Sequence, residues 1–232
     1  MKFDIILQAR FLSTRLPGKI LLNFGQKTLL EFLITNLKKI KKVNKIILAT
    51  PDDKFKNIFY KISKKNKIYF FSEKIDEKNL LKRYFKCAKK FGSKNIIRIT
   101  SDCPFINPHM VTKMIKFYET NQLTFLTNNK PRFIPHGFDC EIINKNLLNK
   151  AFFNAKKSYD KEHATQWIYK NIFNRNINYI KLFRKNCSKL RLTIDYPGDY
   201  IFFKKNELIL KKISNNKNYE KCCYNLNKKL YE

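Results

Sequence analysis

Short, wholly apolar runs alternate with amphipathic stripes through the first half of this chain, and that alternation narrows the fold more than any other feature. Phe3–Leu7, Lys45–Ala49, Ile68–Phe71 and Asn95–Ile99 read as strands. Between them, Leu29, Leu30, Leu33, Leu37 and Ile40 fall on one stripe of a helix over Thr28–Lys41. Leu80, Leu81, Tyr84, Phe85 and Ala88 do the same over Glu77–Phe91, with Lys78, Lys82, Lys86 and Lys89 opposite. Strands apolar on both faces and separated by helices form a mainly parallel sheet covered on both sides, an α/β fold. The second half is less regular. Leu123–Thr127, Asp139–Ile143, Asn178–Leu182 and Leu190–Ile194 read as strands, and Asn146–Lys156 and Lys161–Asn171 as helices. A further helix starts near Pro197, a proline suited to the first helical position. The expected organisation is one domain over residues 1–213 and a C-terminal tail over 214–232. That tail frays at Ser214–Asn218 and ends in a short helix.

Directly after the first strand comes Gln8-Ala9-Arg10-Phe11-Leu12-Ser13-Thr14-Arg15-Leu16-Pro17-Gly18-Lys19. It brings three cations and several free backbone N–H groups to the strand's carboxyl end, where open α/β sheets bind ligands and where a polyphosphate finds what it needs. The phosphate-binding pattern G-x-x-x-x-G-K-[ST] is absent, because its first glycine is missing. Two further runs end in an aspartate followed by proline: Arg98-Ile99-Thr100-Ser101-Asp102-Cys103-Pro104 and Arg191-Leu192-Thr193-Ile194-Asp195-Tyr196-Pro197-Gly198-Asp199. On local grounds each aspartate either caps the turn or helix that follows or offers a carboxylate to a cation. Pro135-His136-Gly137-Phe138-Asp139-Cys140-Glu141 alternates so that Asp139 and Glu141 share a face, and it reads equally well as a solvated strand edge.

These motifs resemble those of the sugar nucleotidyltransferases, specifically the cytidylyltransferase branch that contains the spore coat polysaccharide biosynthesis protein SpsF. More remotely they resemble the acylneuraminate and 3-deoxy-manno-octulosonate cytidylyltransferases. The loop over residues 8–19 is similar to the family's signature loop. Residues 99–108 match its "ITADCPLIDP" element, residues 191–199 its "RLTVDTPED" element, and residues 135–141 its "P-x-G-F-D-V-E" segment. Glu162-His163 with Thr165 is similar to its "E-H-V-T" helix start, and Leu81-Lys82-Arg83-Tyr84 to its "V-L-x-R-Y" helix. The resemblance spans residues 3 to about 202. It departs before the last helix, where Ile75 replaces the usual glycine ahead of Asp76-Glu77 in a loop that helps define the nucleobase pocket.

The resemblance implies a three-layer α/β/α nucleotidyltransferase of glycosyltransferase-A type. The reaction it implies is attack of a sugar or sugar-acid hydroxyl on the α-phosphate of CTP, forming a CMP-sugar for surface polysaccharide synthesis. Arg10, Arg15 and Lys19 are the expected catalytic cations. Gln8, Ala9, Arg10, Ser13, Arg15, Gly18, Lys19 and Asp76 are the expected nucleotide contacts. Asp102 and Asp195 are expected to hold Mg²⁺ with their carboxylates within about 8 Å, a span that one hydrated ion bridges. His136, Asp139, Glu141, Glu162 and His163 fall on the acceptor side. Pairing with a second copy of the chain stays open, as does the alternative of a glycosyltransferase on the same fold, although Thr100 stands where that class usually has the first Asp of Asp-x-Asp.

The formal charge of +31 offers a third reading, a nucleic-acid binder. Of 49 basic residues only eight are Arg; the rest are Lys, spread over nearly every expected helix, and Asn, Ile, Phe and Tyr are abundant too. All of these have AT-rich codons, and a dedicated nucleic-acid surface draws more on the arginine fork. The expected partners are CTP and a sugar, with no specific nucleic acid and no membrane. The six cysteines show no C-x-x-C spacing, no run approaches a membrane span, and Asp4 interrupts any leader-like start, so a soluble cytoplasmic protein is expected. If the charge is compositional, random duplex DNA should bind no tighter than about 1 μM at physiological salt, by fluorescence anisotropy.

Overall fold

A computed structural model describes residues 1–176 and 178–231. In chain order the elements begin with β1 (Phe3–Gln8), a short helical turn (Lys19–Leu21), the hairpin strands β2 (Asn23–Phe24) and β3 (Lys27–Thr28), and α1 (Leu29–Leu37). Next come β4 (Val43–Pro51), α2 (Lys56–Lys65), β5 (Tyr69–Glu73), α3 (Leu80–Phe91), β6 (Asn95–Thr100) and α4 (Pro108–Thr120). The second half contains β7 (Phe125–Thr127), β8 (Glu141–Asn144), α5 (Lys145–Asn154), α6 (Ser158–Glu162), α7 (Gln166–Asn176) and β9 (Asn178–Tyr179). It closes with α8 (Pro197–Lys205), α9 (Glu207–Asn215) and α10 (Tyr219–Tyr231).

The main sheet has the order β5-β4-β1-β6-β8-β7-β9. β1 lies between β4 and β6, parallel to both. β8 runs antiparallel to β6 and β7. The mainly parallel sheet expected from the alternation is therefore present. Phe3, Ile5 and Leu7 of β1 face a layer built from α1, α4 and the C-terminal helices, while Ile6 faces the layer of α3, α5 and α7. Every residue from Phe3 to Leu7 is buried, which is why this strand lacks alternation. α1 starts where Thr28 accepts the Glu31 N–H and Glu31 returns a bond to the Thr28 N–H, a reciprocal cap that fixes the chain's turn out of the hairpin.

The sequence reading did not single out α2 or α4, although Asn107 ahead of Pro108 is a helix-start signal. Three expected strands are shorter: Leu123–Thr127 contracts to β7, Asp139–Ile143 becomes β8 starting at Glu141, and Asn178–Leu182 contracts to β9. Leu190–Ile194 is not a strand at all. It is extended, joined to the 135–138 turn by a single bridge at His136–Arg191, and its apolar side chains are buried among loops and C-terminal helices. The boundary drawn at residue 213 falls inside α9, and Tyr219, Cys222, Cys223 and Leu226 of α10 belong to the main apolar cluster. No helix among the described residues is long and apolar enough to cross a membrane.

Asn107, fully buried, ties these parts together. Its Oδ1 accepts the N–H groups of His109 and Met110 at the start of α4, and its Nδ2 donates to the carbonyls of Ile213 and Asn216. Replacing it leaves buried backbone groups without partners. Asn107→Ala should cost about 2–4 kcal/mol in urea denaturation, and Asn107→Asp, which keeps the cap but loses the donor, should recover only part of it.

Candidate active site

The carboxyl ends of β1 and β6 open side by side, and the loop after β1 folds over them. Ala9 N–H still bonds to Ala49 of β4 (3.0 Å), so the loop leaves the sheet only at Arg10. It closes on itself through Gly18 N–H to the Phe11 carbonyl (2.9 Å), with Gly18 at φ 68°, where a side chain would also press on the Phe11 ring. This left-handed corner starts the turn that carries Lys19 inward, to 9% exposure. Gln8, Ala9, Arg10, Ser13, Arg15 and Lys19 of the loop line one cleft together with Asp102 and Asp195. Gly18 supplies the corner beneath it. Asp76 lies elsewhere, exposed in the turn before α3 with its carboxylate accepting the Lys78 N–H.

Lys19 is the centre of the cleft. Its Nζ stands 2.9 Å from Asp195 Oδ1 and 3.6 Å from Asp102 Oδ2. The two carboxylate oxygens are thus no farther apart than those distances laid end to end, inside the expected span of about 8 Å for carboxylates sharing one hydrated ion. They converge although residues 190–194 form no strand, because Ile194 N–H bonds to the Asp102 carbonyl (3.0 Å) and pins the two segments. Asp195 also accepts from Arg15 Nη2 (2.7 Å) and from Arg191. Burial pushes its carboxyl upward, but Lys19, Arg15 and Arg191 outweigh that and hold it below the ordinary 3.8. Arg15 further bonds to the Tyr196 hydroxyl (3.1 Å) and lies over its ring at 4.7 Å. Asp199, not Asp195, caps α8: it accepts the N–H groups of Asp195 (2.7 Å) and Tyr196 (2.9 Å).

A second group of polar side chains adjoins the cleft through Arg98, whose Nη1 donates to Glu141 (2.8 Å) across the β6–β8 ladder. Glu141 is 2% exposed and also accepts from Tyr169 (2.6 Å) and Thr165 (3.2 Å), so its carboxylate serves this buried network. Asp139 accepts from Asn129 (2.9 Å), from Arg132 and from Gly137 N–H. Burial raises its pKa, and the bonds from Arg132 and Asn129 more than reverse this. His136 is held below its ordinary 6.5, first by partial desolvation and then by the charges of Arg132 and Arg191, against the opposing pull of Asp139. Gly137 is required here: φ is 99°, and a Cβ would lie 2.6 Å from the Leu192 carbonyl oxygen, so any side chain would push the 135–138 turn off residues 190–193. Glu162 and His163 are exposed at the end of α6, the His163 ring resting on Tyr159. Thr165, two residues on, is the member of that motif that reaches Glu141. Sequence reasoning assigned no role to Arg98, Asn129, Arg132, Tyr169 or Arg191; only a lone cation inside the apolar β6 run could have pointed to one of them.

The sequence pattern of the cytidylyltransferase family matches residues 5–229, nearly the whole chain. The chain belongs to the cytidylyltransferase family. Its members are nucleotidyltransferases, and this chain is accordingly an enzyme of that class rather than a glycosyltransferase. The spore coat polysaccharide biosynthesis protein SpsF of Bacillus subtilis is 30% identical over 84% of this chain and 82% of its own length. The structure of a cytidylyltransferase from Leptospira borgpetersenii superposes with a TM-score of 0.84 at 32% identity, covering 92% of this chain and 93% of that one. CMP:2-keto-3-deoxy-manno-octonic acid synthetase, solved in complex with CTP, shares the fold at a TM-score of 0.69 and 15% identity, covering 91% and 99% of the two chains.

Because the Asp195 carboxyl is depressed in the folded state, the stability its pairing contributes is complete above the ordinary 3.8 and is lost as pH falls through the lower folded value. Asp195→Asn should therefore unfold at lower urea than wild type at pH 7. That gap should narrow once pH falls below about 4.

Proposed function

We propose that this enzyme transfers CMP from CTP to a hydroxyl of a sugar or sugar acid, with Mg²⁺ as cofactor and release of pyrophosphate, and supplies an activated sugar for surface polysaccharide in the cytoplasm. The observation that carries the reading is Lys19 set between the carboxylates of Asp102 and Asp195 at the mouth of an arginine-bearing loop. Two carboxylates a few ångströms apart form a hard oxygen donor set, which suits Mg²⁺ with phosphate oxygens and water completing its shell. Asp102 and Asp195 would hold the ion, which when bound neutralises phosphate charge. No group of three or more His, Cys, Asp or Glu gathers among the described residues, so the ion would depend on phosphate oxygens and water for the rest of its shell.

The chain's own residues do the rest by positioning and charge. Arg10, Arg15 and Lys19 bind the triphosphate and offset the charge that builds on the departing pyrophosphate. For this Arg15 and Lys19 exchange Asp195 for phosphate oxygens, while Arg191 stays on Asp195 and keeps it oriented. Arg98, fixed by Glu141, faces the same cleft. Asp139, braced by Arg132 and Asn129, and His136 would face the acceptor, with Glu162 and His163 farther out at the end of α6.

The test combines turnover and binding. Pyrophosphate release should require CTP, Mg²⁺ and a member of a sugar-acid panel. Lys19→Ala should lower kcat/KM at least about tenfold with circular dichroism unchanged, since it removes a charge-assisted contact that strengthens in the transition state. Mg²⁺ with CTP should raise the wild-type Tm, and Asp102→Asn should lose most of that rise. Turnover by Lys19→Ala within twofold of wild type would refute the role given to the loop.

A further inference from the structure

Phe11 is the second residue of the loop that carries Arg15 and Lys19, yet it does not line the cleft that the loop serves. Its ring stacks instead on that of Phe55, with centroids 3.9 Å apart and planes 13° from parallel. Phe55 belongs to the turn between β4 and α2 and is likewise outside the cleft lining. That turn is bonded to itself: the Asp53 carboxylate accepts the Phe55 N–H (2.8 Å) and the Asp53 carbonyl accepts the Lys56 N–H (3.1 Å). Lys54 Nζ lies 5.2 Å from the centre of the Phe55 ring. One ring is thus mounted on a hydrogen-bonded turn and the other on the loop after β1. Phe11 also holds the far corner of its own loop. Its carbonyl accepts the Gly18 N–H (2.9 Å), and a Cβ on Gly18 would stand 3.3 Å from its ring. The supports form a series: Phe55 carries Phe11, Phe11 carries the Gly18 corner, and that corner sends Lys19 in between Asp102 and Asp195. Leu12 and Thr14, between the two ends of the series, are exposed.

We infer that Phe11 and Phe55 are positioning residues whose stack holds Lys19 where the phosphates of a bound nucleotide arrive, an inference that rests on the reading of the cleft as a CTP site. A loop ordered before its ligand arrives spends none of the binding free energy on ordering itself. The contacts to Asp195 do not supply this support in the complex, because Arg15 and Lys19 give them up for phosphate oxygens when the nucleotide binds. The two rings take no part in that exchange. They anchor the loop both before and after it, and so act on binding through Lys19 without touching the ligand.

Equilibrium binding of CTP with Mg²⁺, and separately of inorganic pyrophosphate with Mg²⁺, to wild type, Phe11→Ala, Phe55→Ala and Phe55→Tyr tests this, with urea denaturation in parallel to report the fold. Each alanine variant should weaken both ligands by a similar factor, about fivefold or more, since the stack acts on the phosphate end. Phe55→Tyr keeps the ring and should bind within about twofold of wild type. Adding Phe55→Ala to Lys19→Ala should cost no more than about twofold further, because the stack acts through the side chain already removed. A residue that only stabilised the fold would instead add its full loss in that background. If Phe11→Ala does not fold, Phe55→Ala decides the matter, since it removes the stack from outside the loop. Folded alanine variants that bind within about twofold of wild type, or a further loss of about fivefold in the Lys19→Ala background, would overturn the inference and leave the CTP site standing. Failure of wild type to bind CTP would remove the CTP reading itself.

Discussion

Asp195 sits among Lys19, Arg15 and Arg191, and this one carboxylate decides how the ligand-binding edge is organised. Like charges on Asp102 and Asp195 would drive the two segments apart; Lys19 between them turns that repulsion into cohesion. The same carboxylate also takes Arg15, and together these contacts tie the distal end of the loop after β1 to residues 195–196. Removing two charged groups from water is expensive, and the expense is tolerable only because each oxygen of Asp195 has a cation and the backbone is pinned by Ile194 and Asp199. On the proposed reading the knot is also exchangeable, since a polyphosphate would offer its cations oxygen acceptors with more charge.

Behind the knot stands the parallel pairing of β1 with β4 and β6, which delivers the loop and Asp102 to a single edge. That part of the molecule was legible in the sequence because it is written in local rules. Apolar runs too continuous to be amphipathic, a loop rich in cations, and aspartates followed by proline are each recognisable within about ten residues. Thr28 and Glu31, Asn107 and Pro108 likewise mark helix starts locally, although the helix after Asn107 drew no notice.

What escaped the sequence is what depends on contacts between distant segments. Leu190–Ile194 is apolar because C-terminal helices and loops cover it, not because a sheet does, and a periodicity count does not separate the two. Glu141 reads as one of a matched pair with Asp139, yet the register of β6 against β8 puts it opposite Arg98 and commits it to a buried network with Tyr169. Asn129 and Arg132 acquire their task only when the chain folds Asp139 onto them. Glu162 and His163 look like the chemistry of their motif, while Thr165 makes its inward contact.

The eight arginines are distributed unlike the lysines. Arg10, Arg15, Arg83, Arg98, Arg132 and Arg191 gather in or beside the cleft, most of them held by a carboxylate or an aromatic ring, whereas the lysines are strewn over the surface. The molecule therefore carries two electrostatic systems of different range. The diffuse lysine field acts through solvent, draws anions from any direction and fades as ionic strength shortens the Debye length. The arginine contacts are short and directional, and the Arg98–Glu141 pair is largely buried. An enzyme built this way separates capture from fit: salt in the surrounding medium acts first on how often a nucleotide arrives, and less on the short, directional contacts that hold it.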